Sequence, residues 1–143
     1  MKSIVKFNLL FNDENYDRVT NPLRLNVFEL LPIGMSWEHN AKKLVKKNPN
    51  KIISLLSNDG EAIAAVESPF DPVENKALVI NPDASIRWDI GAVLNLNIKD
   101  NLMFSDVYYV NDELFFFFNK SGKDFRFSFD VFTGLPGKIY EAY

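Results

Sequence analysis

Residues 102–140 constrain the fold more than any other stretch, because they have the pattern of consecutive antiparallel strands. Three runs rich in Phe, Tyr and Val occupy residues 102–110, 113–119 and 124–131, and a shorter fourth run occupies residues 138–140. Short segments of Asn, Asp, Ser and Gly separate the first three runs. Apolar runs divided in this way are typical of β-hairpins. The sequence therefore predicts an antiparallel meander.

The third run separates an apolar face from a polar face. Successive side chains of a strand point to opposite faces, which groups Phe125, Phe127, Phe129 and Val131 on one side and Asp124, Arg126, Ser128 and Asp130 on the other. The run 115–118 consists of four Phe residues and does not alternate. That pattern predicts a central strand covered on both faces, the second face by a helix or by the other half of the chain. We interpret these aromatic stripes as core, with the lining of a ligand cavity as the alternative.

Shorter patterns before residue 100 predict further strands. They span residues 4–11, 23–30, 77–81 and 85–90, and residues 51–57 and 61–67 form a hairpin around Asn58-Asp59-Gly60. Gly91 begins a link to the apolar residues Val93, Leu94, Leu96 and Ile98. The order of turn residues and strand patterns from Asn58 echoes the order from Asn111. This echo indicates a duplicated meander.

Residues 36–47 have the pattern of one amphipathic helix. Ser36 is a suitable N-cap, and Glu38 in the first turn favours the positive end of the helix dipole. One helical face would carry Trp37, Ala41, Leu44 and Val45, and the opposite face most of the lysines at 42, 43, 46 and 47. Asn48-Pro49-Asn50 would end the helix.

These patterns predict an α+β fold in a single domain of residues 1–143. A length of 143 residues is typical of one domain. The expected architecture is a mainly antiparallel, strongly twisted β-sheet, a meander of about seven to nine strands. One amphipathic helix, residues 36–47, would pack on it.

The composition removes most catalytic classes. The chain has no Cys and one His, which excludes thiolate metal sites and the usual Cys–His or Ser–His nucleophile systems. No phosphate-binding glycine motif is present, and the single histidine, His39, has no identifiable partners. Paired carboxylates are the one common catalytic arrangement that the composition leaves open. We therefore expect no enzymatic activity, no metal and no cofactor.

The charges are unevenly distributed. Five lysines lie within residues 42–51 without a single acid. The remaining 11 basic residues are outnumbered by 19 acidic ones, a formal charge of −8. An acidic body repels phosphates, which predicts no nucleic-acid binding and favours a basic protein partner. No targeting segment or membrane-spanning run is evident, so we expect a cytoplasmic protein without membrane contact.

The acidic body outside residues 42–51, the lack of Cys and the edge-rich β-structure resemble the immunity proteins of bacterial toxin–immunity systems, of the contact-dependent inhibition or polymorphic toxin type. Proteins of that class are small, cytoplasmic, often acidic single domains, and each binds and blocks one cognate toxin domain. The resemblance implies that this chain neutralises a toxin domain, with a basic nuclease expected, by covering its active site.

The contacts with such a partner are predicted from the polar sides of the last strands. The candidate residues are Asp106, Glu113, Asp124, Arg126 and Asp130, with Tyr108 as an aromatic anchor. The alternative for each residue is an ordinary solvated strand position, because interface residues are a minority of any surface. Two alternatives from other classes stay open: a β domain that binds a small apolar ligand in its Phe-rich interior, and a non-catalytic adaptor module of a larger complex.

Overall fold

Three antiparallel sheets make up the chain in the computed structural model, which describes residues 2–94 and 102–142. The N-terminal sheet has the order β1-β2-β3, with β1 Val5–Leu10, β2 Gly34–His39 and β3 Lys42–Lys47. The middle sheet has the order β4-β5-β6-β7, with β4 Ile52–Leu56, β5 Ile63–Glu67, β6 Lys76–Ile80 and β7 Ile86–Asp89. The C-terminal sheet has the order β11-β10-β9-β8, with β8 Leu102–Val110, β9 Glu113–Lys120, β10 Lys123–Ser128 and β11 Tyr140–Glu141.

Two short helices complete the described structure. Helix α1 spans Val27–Leu30 and helix α2 spans Ile90–Val93. No helix of the described residues is long and apolar enough to cross a membrane.

The middle sheet is covered on both faces and forms the centre of the molecule. One face, with Ala64, Val66 and Val79, packs against Phe116 and Phe127 of the C-terminal sheet. The opposite face packs against the N-terminal sheet in a second cluster that contains Ile63, Ala65, Leu78, Ile80, Met35 and Trp37. Strands buried on both faces have continuous apolar sequences rather than alternating ones, which explains the run of apolar residues in β5 and β6.

The predicted C-terminal meander is confirmed. The four-Phe run lies in β9, which pairs with both β8 and β10 and is central, as predicted. The cover predicted for its second face is wrong for the described residues, since Phe115 and Phe117 lie outside both core clusters. The hairpin around Asn58-Asp59-Gly60 joins β4 and β5. The duplicated meander is also present, since β4–β7 and β8–β11 are each four strands paired in chain order.

The helix predicted for residues 36–47 is wrong, because this segment is the hairpin β2–β3. Asn40 and Ala41 both have positive φ, as a tight turn that joins two twisted strands requires. Trp37 is buried and its indole N–H donates to the carbonyl of Pro82 at 2.8 Å. Pairing and a contact distant in sequence outweigh the local helical spacing.

The four lysines of this segment therefore lie on an edge strand, β3. Lys46 forms an ion pair with Glu67 at 3.0 Å, and Lys42, Lys43 and Lys47 are exposed. Lysines on an edge strand discourage pairing with the strands of other chains.

The strand predicted for residues 23–30 is also wrong. Asn21 and Arg24 have positive φ, which directs the backbone into turns, and residues 27–30 form α1. Asn26 caps this helix in a capping box with Glu29, a spacing of three residues that favours a helix start over a strand. The buried Lys51 donates from Nζ to the carbonyls of Glu29 and Leu31 and so holds the end of α1 in place.

The strand count and sheet number also differ from expectation. The described residues form eleven strands in three sheets rather than seven to nine in one, because the chain leaves one sheet after β3 and another after β7. The predicted link through Val93 and Leu94 ends in α2, and its continuation through Leu96 and Ile98 lies outside the described residues.

The substitution Gly134→Ala tests how the turn after β10 packs against the middle sheet. Gly134 has φ +72°, and a Cβ at this position would lie 2.7 Å from the Trp88 ring. Trp88 also donates to the carbonyl of Val131 at 2.9 Å. Gly134→Ala adds backbone strain of about 1–2 kcal/mol and overpacking of about 1–3 kcal/mol to the free energy of folding.

Gly122→Ala is the matched control, because Gly122 has φ +79° with no atom within 4 Å of an added Cβ. Urea unfolding of both variants isolates the Trp88 contact. Equal losses of stability in the two variants would contradict the close seating of this turn on Trp88.

Candidate functional site: the outer face of the C-terminal sheet

Strand register assembles one face of the C-terminal sheet from residues far apart in the sequence. Phe117 of β9 lies opposite Asp106 of β8 and Arg126 of β10. In the next aligned row, Phe115 lies opposite Tyr108. Directly opposed residues project to the same side of a sheet, and the other side, with Phe116 and Phe118, belongs to the core. We call the side with Asp106, Tyr108, Phe115, Phe117 and Arg126 the outer face.

Aromatic contacts order the outer face. The rings of Tyr108 and Phe117 stack with centroids 4.3 Å apart and planes 18° apart. The Arg126 guanidinium carbon lies 5.1 Å from the centre of the Phe115 ring, within the range of a cation–π contact. Phe117 is only 9% exposed, whereas Tyr108 is 43% exposed. Tyr108 is thus an accessible ring on a rigid aromatic base.

The two charged residues beside Phe117 are partly withdrawn from water. The Asp106 carboxylate accepts a hydrogen bond from the Val107 N–H at 2.8 Å, and burial raises the pKa of Asp106 above its ordinary value. The Arg126 Nε is buried and has no hydrogen-bond partner among the described residues. The ion pairs found within residues 2–94 and 102–142 include neither side chain.

Asp124 and Glu113 occupy other positions of the same face. Asp124 lies opposite Asn119, whose side-chain N–H donates to the Asp124 carboxylate at 3.0 Å. Glu113 is exposed at the start of β9 and lies opposite Val110. Five of the six residues proposed from the sequence therefore share the outer face.

Asp130, the sixth, lies beyond the end of β10 in an acidic cleft. The cleft has a volume of about 420 Å³ and is lined by Asp112, Glu113 and Asp130 among others. The Asp130 carboxylate accepts hydrogen bonds from the backbone N–H groups of Phe132 and Thr133. Glu113 connects this cleft with the outer face. Asp130 thus has a local structural role in its turn.

Two residues of the outer face were not among the proposed contacts. Phe115 and Phe117 belong to the four-Phe run that the sequence assigned to covered positions, and only the register with β8 and β10 shows which of the four face outward. Once β9 is taken as one strand, strict alternation of side chains already separates residues 115 and 117 from residues 116 and 118. That separation was the sequence signal for an outward-facing pair.

A second apolar surface, on the loop between β1 and β2, was missed for a different reason. Val19, Leu23 and Val27 are 95%, 72% and 72% exposed. The loop borders a cavity of about 430 Å³ lined partly by Phe11 and Phe28. Alternating apolar residues predicted a strand here, whereas Pro22 and the capping-box residues indicated a turn and a helix.

The described residues contain no group of three or more side chains arranged to hold a metal ion. His39 Nδ1 lies 2.9 Å from the Ser3 carbonyl and Nε2 lies 3.2 Å from the Asn40 side chain. Both ring nitrogens thus have local partners, which suits a structural histidine.

No family model and no curated protein matches the chain. Among solved structures, the chain is similar to a chain in the structure of Tne2 in complex with Tni2, with a TM-score of 0.71 over 98% of this chain and 99% of that chain. The sequence identity is 16%, so the likeness shows a shared fold. That complex is a toxin–immunity pair.

Asp106→Asn tests the electrostatic state of the outer face. A carboxyl group whose pKa is raised in the folded state favours folding below its unfolded pKa and loses that contribution as the pH rises through the folded pKa. The Asn variant lacks the ionisation, so we expect it to melt at a higher temperature than the wild type at pH 7. Thermal unfolding between pH 3 and pH 7 should show the difference vanish at the acidic end. A difference that does not change with pH would contradict the burial of an ionised Asp106.

Proposed function

We propose that this chain is a cytoplasmic immunity protein that binds a cognate toxin domain and blocks the toxin by covering its active site. The observation that carries the proposal is the shared fold with a chain of the Tne2–Tni2 complex over nearly the full length of both chains. A fold alone does not define a function. The proposal therefore also depends on whether the surface of this chain has the features of a protein-binding site.

The outer face has the features of a protein-binding surface. Interfaces are enriched in Tyr, Phe and Arg at their centres, and this face carries Tyr108, Phe117 and Arg126 in neighbouring rows. The stacked ring of Phe117 fixes Tyr108 in advance, which lowers the entropy lost on binding. A strand scaffold also holds these side chains more rigidly than a loop would.

Charge supports a basic partner. The formal charge of −8 outside residues 42–51 gives most of the chain an acidic character, and the acidic cleft lies at one end of the outer face. Long-range attraction would speed association with a basic toxin. A nuclease fits this description because its substrate is anionic, and a protein that covers the active site would exclude that substrate.

The apolar-ligand alternative loses its proposed location. Phe116 packs against Phe127 and Phe129, and Phe118 packs against Phe125, so the Phe-rich interior is filled by its own rings. An apolar ligand would bind instead in the cavity beside the β1–β2 loop, whose volume of about 430 Å³ lies within the range of ligand pockets.

Co-expression tests the proposal. The toxin candidate is the polypeptide encoded by the gene adjacent to that of this chain, produced from an inducible promoter in a sensitive bacterial strain. We expect the wild-type chain to restore growth and to form a 1:1 complex by isothermal titration calorimetry. Absence of both rescue and complex would contradict the proposed function.

Tyr108→Ala should weaken that complex by about 30-fold, the effect of losing roughly 2 kcal/mol at an interface hot spot. Val45→Ala is the matched control, because Val45 is a 52% exposed strand residue of the N-terminal sheet. We expect it to bind within about two-fold of the wild type. If Tyr108→Ala binds the toxin domain within about two-fold of the wild type, as Val45→Ala should, the interface lies elsewhere.

A further inference from the structure

Two opposite charges flank one aromatic ring on the outer face. Asp106, Phe117 and Arg126 form a single row across β8, β9 and β10. Neighbouring strands are about 4.8 Å apart, so the two charged residues stand roughly 10 Å apart. Neither forms an ion pair within the described part of the chain. We call this set the charged row.

The Arg126 side chain is fixed in a position to bind an acceptor from outside. Its guanidinium lies over the Phe115 ring, and its Nε is covered by the chain itself without a hydrogen-bond partner among the described residues. The two terminal guanidinium nitrogens of Arg126 are therefore the groups that can donate hydrogen bonds to a partner. A guanidinium held in one plane matches a carboxylate, which accepts two parallel hydrogen bonds.

A partner that covers this face must satisfy both charges. Covering a charged group without supplying a counter-charge costs several kcal/mol, and such a cost rejects wrong partners. A partner surface that is basic throughout would satisfy Asp106 and oppose Arg126. The row therefore requires a partner with one cation and one carboxylate at matching spacing.

A second copy of this chain does not meet that requirement. Two copies packed face to face about an axis parallel to β9 would bring Asp106 onto Arg126, but they would also place Glu113 onto Glu113. An axis across the strands would place Asp106 onto Asp106 and Arg126 onto Arg126. Both of these two-fold arrangements bring like charges together, which disfavours self-association through the charged row.

We propose that the charged row determines partner specificity: the toxin domain places a carboxylate on Arg126 and a lysine or arginine on Asp106, on either side of its contact with Tyr108, the exposed ring stacked on Phe117. This inference rests on the proposed function and refines it. The toxin is basic as a whole but carries an acidic residue within its interface, and toxins without that arrangement are rejected.

Charge reversal tests the inference, with the polypeptide from the adjacent gene as the probe. Arg126→Glu and Asp106→Lys should each weaken the complex at least about ten-fold, since each places like charges in a desolvated contact. Lys43→Glu is the control for Arg126→Glu, because it makes the same change in net charge at an exposed position of the N-terminal sheet. We expect its affinity to stay within about three-fold of the wild type.

The double variant Asp106→Arg, Arg126→Asp separates local pairing from overall attraction. It keeps the net charge of the chain and exchanges the two charged side chains. If the partner contacts each charge directly, the double variant should bind at least about ten-fold more weakly than the wild type. Arg126→Gln removes the charge while approximately preserving the shape of the side chain. It replaces Arg126→Glu in the binding test if the charge-reversal variant unfolds. Circular dichroism and melting temperature check each variant, and sedimentation velocity checks the oligomeric state.

The charged row is overturned if the wild type binds and all three single variants bind within three-fold of it; these are Arg126→Glu, Arg126→Gln and Asp106→Lys. The proposed function would then still stand. Recovery of wild-type affinity in the double variant would also overturn the charged row, since net charge alone would then explain the losses. A wild-type chain that dimerises through Arg126 would make a second copy the occupant. Absence of wild-type binding would remove the proposed function and the inference together.

Discussion

The pleat of β9 is the constraint on which both the core and the outer face depend. Residues 114–118 are all apolar, and alternation divides them between the two sides of the sheet. Leu114, Phe116 and Phe118 enter the core against the middle sheet, while Phe115 and Phe117 project outward. A slip of one residue in register would exchange the two sets. The packing of the core thus also fixes the position of every ring on the outer face.

The outer face is stabilised from below by this packing. Phe116 stacks on Phe127 at 6.0 Å in the core, which holds β9 and β10 together directly beneath Phe117 and Arg126. The middle sheet supports the arrangement in turn, since its alanines allow the aromatic side chains of the C-terminal sheet to approach closely. We expect a surface built on such a base to change little on binding a partner, so that its side chains set affinity and specificity.

The strands of the C-terminal half were predictable because their signals are local. Apolar alternation and turn residues define each strand of the meander, and the central place of β9 followed from four consecutive Phe residues. The hairpin at residues 34–47 was not predictable in the same way. Trp37, Ala41 and Leu44 fit a helical face, but Ala41 lies in the turn and Trp37 is held by the distant Pro82.

The candidate site was only partly predictable for a related reason. Alternation identified Arg126 and Asp124 as a polar face, but the pairing of Asp106 with Phe117 depends on an irregularity in β8. The register shifts between Phe104 and Asp106, so Phe104 and Val107 both face the core. Simple alternation from Phe104 would have turned Asp106 inward. No local sequence signal specifies this shift, and it decides whether the charged row exists.

Hydroxyl-radical footprinting of the chain with and without the toxin domain is the most direct test of a binding surface on the C-terminal sheet. Oxidation of Tyr108 and Tyr140 should fall in the complex, since both rings are exposed on the free chain and Tyr140 lies opposite Arg126 on the outer face. Oxidation of Val27 and Leu23 on the β1–β2 loop should not change. Protection of the loop with unchanged oxidation of Tyr108 and Tyr140 would contradict binding at the C-terminal sheet and place the interface on the other apolar surface.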